Sequence, residues 1–297
     1  MRRLGASRGW ALPTILLAVL ALGPSQGWSQ KAEPAIRLGL IPTEDARAAV
    51  KDSENMIDAL ERRLGMKVKV FVATDYTGVT EALKFKKLDV AFLGPFGYIL
   101  ARDVANAGVE VFASPVKAET GEAGYRSICI ARADRPIKTL KEFRGTTFSF
   151  TDPASTSGNL IPRYMFKKAG LEPDKDFKAV MFSGGHDASA LAVAAGKVDG
   201  SCFSDEAWST LTKKRVIKQE ELRVIAKSDL IPGNPMVWRE DLSPETKEKV
   251  RNAFLALKDV NMSTLGKISH FIPYTDKEFD GLRDIVKEMK IDLKKQK

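Results

Sequence analysis

The stretch Thr146-Thr147-Phe148-Ser149-Phe150-Thr151-Asp152-Pro153-Ala154-Ser155-Thr156-Ser157-Gly158-Asn159 decides how this chain is read. Its first five residues are β-rich, and Ile161, Tyr164, Met165 and Lys168 continue it at helical spacing. The hydroxyl-rich turn between them therefore joins a strand to a helix. Amides in a helix's first turn have no intrahelical partner, and the helix dipole favours negative charge there. Pro162 fits that start, because a missing N–H costs least in the first turn. Two readings stay open on these residues alone. One is an oxyanion site built from neutral donors; the other is a helix capped by Ser and Thr with no ligand.

The same strand-then-helix unit repeats outward in both directions. Strands are expected over 36–40, 67–73, 88–93, 109–113, 128–131, 147–150, 179–182, 200–203 and 223–226, with helices over 47–64, 79–86, 98–106 and 188–195 between them. Alternation of this kind predicts an α/β fold with largely parallel sheets. Glu81 to Gly94 and Leu191 to Phe203 share a helix, a Lys, an apolar-Asp pair and a strand, as two similar lobes would. The polar segment 117–124 and the Pro/Gly-rich segment 229–235 read as crossovers. The expected organisation is a signal peptide over 1–29, one discontinuous lobe over 35–123 and 235–297, and a second lobe over 124–234. Helices over 244–260 and 276–289 are expected to close the chain, with His270 in this helical part as a structural residue.

The amino terminus carries Arg2, Arg3 and Arg8, then an apolar run from Trp10 to Leu22 and a small-residue segment. That order is the one of a secretory signal, so an exported protein is expected. Cleavage removes three arginines from a formal net charge of +9. The remaining lysines are scattered, without the clustered basic face and stacking aromatics of a nucleic-acid groove, so no nucleic-acid partner is expected. Cys129 and Cys202 lie in strand-like runs without metal spacing. They are read as two buried free thiols, although an oxidising compartment permits a bond between them.

Catalytic and cofactor signatures are absent from the sequence. Outside the expected signal peptide, where Gly5-Ala6-Ser7-Arg8-Gly9 falls, no Gly-x-Ser-x-Gly elbow occurs, and the sequence has no Gly-x-Gly-x-x-Gly turn or Gly-Lys-Ser/Thr loop. No metal-ligand spacing is present either, so neither a cofactor nor an enzymatic activity is expected. A triad of Ser155, His186 and Asp199 can be written, but Ser, His and Asp occur in most chains. Tyr76 and Glu206 instead share an address with Ser155 and His186. All four follow strands, at the carboxyl ends where open α/β sheets bind ligands. His186 can donate to an anion there or simply cap and pack. Tyr125 falls where the chain crosses between lobes.

These residues sit in recognisable words. Thr74-Asp75-Tyr76-Thr77-Gly78-Val79, the Asp152 to Gly158 word, Gly185-His186-Asp187 with Ala190-Leu191-Ala192-Val193, Val198-Asp199, and Ile231-Pro232-Gly233-Asn234-Pro235-Met236-Val237-Trp238-Arg239 occur in this order. The sequence resembles the phosphonate/phosphite/phosphate-binding proteins of ABC importers, periplasmic members of the type II "Venus flytrap" class. The resemblance implies two lobes joined by two crossover strands, a small phosphorus oxyanion held between them, and delivery to an ABC permease at the inner membrane by a monomer. It implies that Ser155, Thr156 and Ser157 hold phosphonyl oxygens, that His186 adds a donor, and that Tyr76 and Tyr125 close over the ligand. In relatives that bind aminoalkylphosphonates, carboxylates matching Glu206 and Asn234 accept the ligand's amino group. Asn234 departs from that pattern. The departure favours phosphite, phosphate or an alkylphosphonate over 2-aminoethylphosphonate, and Glu206 can instead accept the proton of a monoprotonated oxyanion. The same architecture for another anion such as a sulfonate, or serving a sensor, is the competing expectation.

Overall fold

Two β-sheets are each flanked by helices; central strands such as Gly200–Ser204 are buried at every position, whereas Lys67–Val72 alternates more and less exposed residues. The computed structural model describes residues 35–291. The signal peptide expected over 1–29 lies outside the described residues. The strands are β1 (Ala35–Leu40), β2 (Lys67–Val72), β3 (Val90–Phe92), β4 (Val109–Lys117), β5 (Ser127–Arg132), β6 (Thr147–Phe150), β7 (Ala179–Phe182), β8 (Gly200–Ser204), β9 (Leu222–Lys227), β10 (Met236–Arg239), β11 (Lys258–Asn261) and β12 (Lys267–Pro273). The helices are α1 (Ala46–Asp52), α2 (Glu54–Leu64), α3 (Tyr76–Lys84), α4 (Pro95–Ile99), α5 (Ile161–Lys168), α6 (Pro173–Asp176), α7 (His186–Ala194), α8 (Asp205–Lys213), α9 (Pro244–Leu255) and α10 (Asp280–Glu288). π-helical turns Leu100–Val104 and Thr156–Leu160 extend α4 and precede α5.

One sheet has seven strands in the order β11-β12-β4-β10-β3-β1-β2; the other has five in the order β7-β6-β8-β5-β9. The chain passes from the first sheet to the second between β4 and β5, and returns between β9 and β10. The two crossings touch at one antiparallel bridge, where Tyr125 and Ile231 exchange both backbone hydrogen bonds at 3.1 and 2.7 Å. Helix α2 shows how sequence sets the packing. Met56, Leu60 and Leu64 recur on one buried face, and Gly65, at φ 61°, ends the helix in the left-handed conformation that glycine adopts without strain. In the smaller sheet, Phe143, Phe148, Phe166 and Phe177 fill one face with edge-to-face rings, for example 5.2 Å apart at 89° for Phe148 and Phe166.

Three expectations are corrected. The sheets are mixed, not largely parallel. β1, β2 and β3 are parallel to one another, as are β6, β7 and β8, but β5, β9, β10 and β12 pair antiparallel with their neighbours. A strand that enters or leaves a sheet through a crossover reverses direction relative to the βαβ strands beside it. The C-terminal part is not wholly helical: α9 ends at Leu255, and β11 and β12 form an antiparallel hairpin before α10. His270 therefore lies on a strand, exposed, with its ring beside Ser269 Oγ.

Cys129 and Cys202 are not free thiols but a disulfide. β5 and β8 run antiparallel with these two residues directly opposite, Cα atoms 4.0 Å apart, so both side chains leave the sheet on the same face. Periodicity within a single strand carries no information about which residue of another strand will face it.

Candidate functional site

Five helix amino termini converge between the two sheets. Helices α3 and α4 start after β2 and β3 of the larger sheet. The π-helical turn before α5, and helices α7 and α8, start after β6, β7 and β8 of the smaller one. Local sequence fixes each start. Asp75 Oδ1 accepts from Gly78 N–H at 2.7 Å, Ser155 Oγ from Gly158 N–H at 3.0 Å, and Ser204 Oγ from Ala207 N–H at 3.1 Å. These caps satisfy one amide each, Tyr76 N–H donates to Asp152 Oδ2 at 3.4 Å, and the helix starts bring Tyr76, Gly94, Thr156, His186 and Glu206 to the space between the sheets. The partial positive charge of several helix ends is thereby focused on one point.

That point is a small cavity of about 10 Å³, walled by residues of both sheets. It is about the room of one water molecule. An oxyanion of several oxygens is larger than that space. Tyr76, Tyr125, Ser155, Thr156, His186, Glu206 and Asn234 all line it. Ser157 does not. Its side chain is buried, and its carbonyl accepts from Ser127 Oγ at 2.6 Å, which anchors the hydroxyl-rich turn to β5. Thr43, Gly94, Ser204 and Thr264 also line the cavity and were not singled out from sequence. Thr43 and Gly94 come shortly after β1 and β3 and Ser204 is the last residue of β8, so asking for the residues around every strand end would have found them. Thr264 lies in the β11–β12 connection, hidden by the helical reading of that segment. A larger groove of about 640 Å³, lined by Tyr164, Leu230, Ile231 and Leu282 among others, lies elsewhere and has none of these strand-end donors.

The two sheets hold each other across the cavity. Thr156 Oγ1 accepts from Phe96 N–H at 2.8 Å, at the start of α4. Tyr76 Oη lies 3.3 Å from His186 Nε2, and His186 N–H donates to the Thr43 carbonyl at 2.9 Å. His186 Nδ1 is 3.4 Å from Thr151 Oγ1. Burial pushes the His186 pKa down to about 3, so the imidazole is neutral at pH 7, with one nitrogen donating and the other accepting. Burial raises Tyr76 and Tyr125 well above the phenol range, so both remain hydroxyl donors. The side chains of Thr156 and Ser157 reach Tyr125 and draw it part of the way back. No Lys or Arg is among the lining residues. What the cavity offers an anion is hydroxyls, an imidazole and helix-terminal amides, a donor set suited to an oxyanion of several oxygens.

Glu206 is the one carboxylate in the lining. Its Oε2 accepts from Asn234 Nδ2 at 3.4 Å, and its Oε1 has no hydrogen-bond partner. Burial pushes its pKa up to about 7, against the pull of Lys117 and with a smaller push from Asp205. The ordinary value is 4.5, so between pH 4.5 and 7 the folded protein keeps a proton that the unfolded chain releases. Stability present below pH 4.5 is thus lost as pH rises through 7, by on the order of 3 kcal/mol for this group. Urea denaturation from pH 4.5 to 7.5 checks it. Glu206→Gln is expected to gain stability relative to the parent protein as pH rises through that window; parallel curves would contradict the assignment.

The triad that could be written from sequence is not assembled. His186 faces Tyr76 and Thr151, while Asp199 accepts from Thr147 N–H and Oγ1 at 2.9 and 2.8 Å at the start of β6.

Comparison with known proteins agrees with this architecture. A phosphonates-binding periplasmic protein of Escherichia coli is 37% identical over 236 residues, covering 78% of this chain and 68% of its own. A phosphate-import protein of Mycolicibacterium smegmatis is 33% identical, with 91% of each chain covered. A binding protein component of an ABC phosphonate transporter from Pseudomonas aeruginosa superposes with a TM-score of 0.78 at 35% identity, over 85% of both chains. The methylphosphonate complex of a Prochlorococcus marinus protein shares the fold, with a TM-score of 0.75 at 21% identity over 86% of this chain and 98% of that one. The family described as ABC transporter, phosphonate, periplasmic substrate-binding protein matches residues 38–279. With its two-lobed α/β fold and its cavity between the sheets, the chain belongs to the periplasmic substrate-binding proteins of phosphonate ABC transporters.

Proposed function

We propose that this protein is a periplasmic receptor that captures a small phosphorus oxyanion between two lobes and delivers it unchanged to an ABC permease at the inner membrane. The lobes are residues 35–123 with 235–297, and residues 124–234, and the protein works as a monomer. The ligand is phosphite, phosphate or a short alkylphosphonate. One observation carries the reading: helix amino termini from both sheets, with the hydroxyls of Ser155, Thr156, Tyr76 and Tyr125, meet at one small cavity that no Lys or Arg lines. The binding of phosphonates and phosphate by the relatives in Escherichia coli and Mycolicibacterium smegmatis supports the ligand class. Ser155 and Thr156 hold the phosphoryl oxygens, His186 and the two tyrosines complete the donor set, and Ser157 holds the turn in place. We assign no catalytic step, because His186 is neutral and has no carboxylate partner.

Closure is selected by a ligand that touches both lobes, since only differential contact shifts the open–closed equilibrium. Phosphite, phosphate and methylphosphonate are expected to raise the melting temperature in a thermal-shift assay, as any ligand of the folded state does. Sulfate at equal concentration serves as the control. Thr156→Ala is expected to weaken binding of the best of these anions by about tenfold to a hundredfold, the effect of losing one hydrogen bond to a charged group. Calorimetry reads it, and unchanged affinity would remove Thr156 from the site.

A further inference from the structure

Lys117 is the residue of this region that sequence reading passed over. It is the last residue of β4, in the larger sheet, and its register is set by pairing with Ile268 of β12. Its side chain is 9% exposed and reaches across to the smaller lobe, where Nζ stands 3.6 Å from Glu206 Oε1, a carboxylate 3% exposed. The distance makes the contact an ion pair and not a hydrogen bond, and Oε1 is left without a donor. Lys117 is not among the cavity-lining residues, so it faces Glu206 from outside the cavity.

A cation on a ligand entering this cavity has a single carboxylate to meet, Glu206. The neighbouring amide of Asn234 brings no second negative charge. Where Glu206 is ionised, its charge is already matched from within the protein by Lys117, and an ammonium on the ligand would meet that lysine as a like charge in poorly solvated interior. Like charges at such range disfavour each other strongly. The free Oε1 can still accept a hydrogen bond from a neutral donor, such as the P–OH of a monoprotonated anion.

We propose that Lys117 is a specificity-determining positioning residue, whose ammonium supplies Glu206 with the positive charge that an amino-bearing ligand would otherwise bring, so that the cavity takes phosphorus oxyanions that carry no cation. This rests on the oxyanion reading of the cavity and deepens it by naming the ligand class. The lysine also ties β4 of the larger sheet to α8 of the smaller one, outside the cavity.

The test is calorimetry of methylphosphonate and 2-aminoethylphosphonate with the full mature protein and with Lys117→Met and Lys117→Arg. Methionine is close in length to lysine, so the ratio of the two affinities isolates charge from size. The parent protein is expected to prefer methylphosphonate. Lys117→Met is expected to shift that ratio toward 2-aminoethylphosphonate by about tenfold or more, and Lys117→Arg to keep the parent's ratio within about threefold. A shift of both affinities by one common factor in Lys117→Met would show a merely structural lysine and overturn the proposal. Preference of the parent protein for 2-aminoethylphosphonate would overturn it without any variant, which covers failure of Lys117→Met to fold. A parent protein that binds neither phosphonate, nor phosphite or phosphate, would overturn the oxyanion reading itself, a result distinct from an unchanged ratio.

Discussion

Gly158→Ala is expected to abolish oxyanion binding, lowering the association constant at least about a hundredfold by calorimetry. A Cβ at this position would fall 2.1 Å from Thr151 Oγ1, 2.3 Å from Thr151 Cβ and 2.9 Å from Ser155 Oγ. Thr151 cannot retreat. It is fully buried, its Oγ1 lies 3.1 Å from Ser189 Oγ and 3.3 Å from the Cys202 carbonyl, and its amide donates to the Gly158 carbonyl at 2.9 Å. The added methyl must therefore push the hydroxyl-rich turn away from β6. That displaces Ser155 and Thr156 and breaks the Ser155 cap on Gly158 N–H. Overpacking of this kind costs about 1–3 kcal/mol in stability, so the folded protein should persist with a lower melting temperature. A variant that melts lower yet binds the anion with parental affinity would show that the turn does not hold the ligand.

Loss of the disulfide is expected to be the largest single effect on stability. The Cys129–Cys202 bond closes 73 residues of sequence, and chain-entropy reasoning puts its contribution at about 4 kcal/mol. The paired variant Cys129→Ala with Cys202→Ala should shift the urea midpoint down accordingly, and a reductant should shift the parent protein the same way. Both sulfurs lie in the phenylalanine-rich face of the smaller sheet, away from the cavity, so anion affinity should change little. Equal midpoints for oxidised and reduced protein would contradict a stabilising role. A bond of this kind belongs to an oxidising compartment, in keeping with the basic and apolar amino terminus.

The strand-end address was legible because it depends only on local order. Strand, hydroxyl or acidic cap, then helix, is written within a dozen residues, as in Asp152 to Ile161 or Thr74 to Val79, and it led to Tyr76, Ser155, Thr156, His186 and Glu206. What stayed hidden depends on which strand lies beside which. Cys129 and Cys202 meet only because β5 and β8 pair in one register. Lys117 reads as part of a polar linker until β4 is seen to run through it toward Glu206. The buried residues of β12, Ile268 and Phe271, stand three apart across a register shift between Ile268 and His270, so the strand carried no period-two signal and was absorbed into the helical reading. Ser157 shows the reverse case. Its place in the hydroxyl run suggested a ligand contact, yet the turn aims its carbonyl at Ser127 and keeps its side chain out of the cavity lining.

The bridge between Tyr125 and Ile231 gives the cycle of loading and unloading a mechanical economy. Tyr125 belongs at once to the crossing that joins the sheets and to the cavity wall. In the proposed capture cycle, parting of the sheets about this bridge would carry the Tyr125 backbone with the crossing and its side chain with the cavity wall. Under that reading, opening of the cavity and withdrawal of the tyrosine donor are one event, and release needs no second moving part.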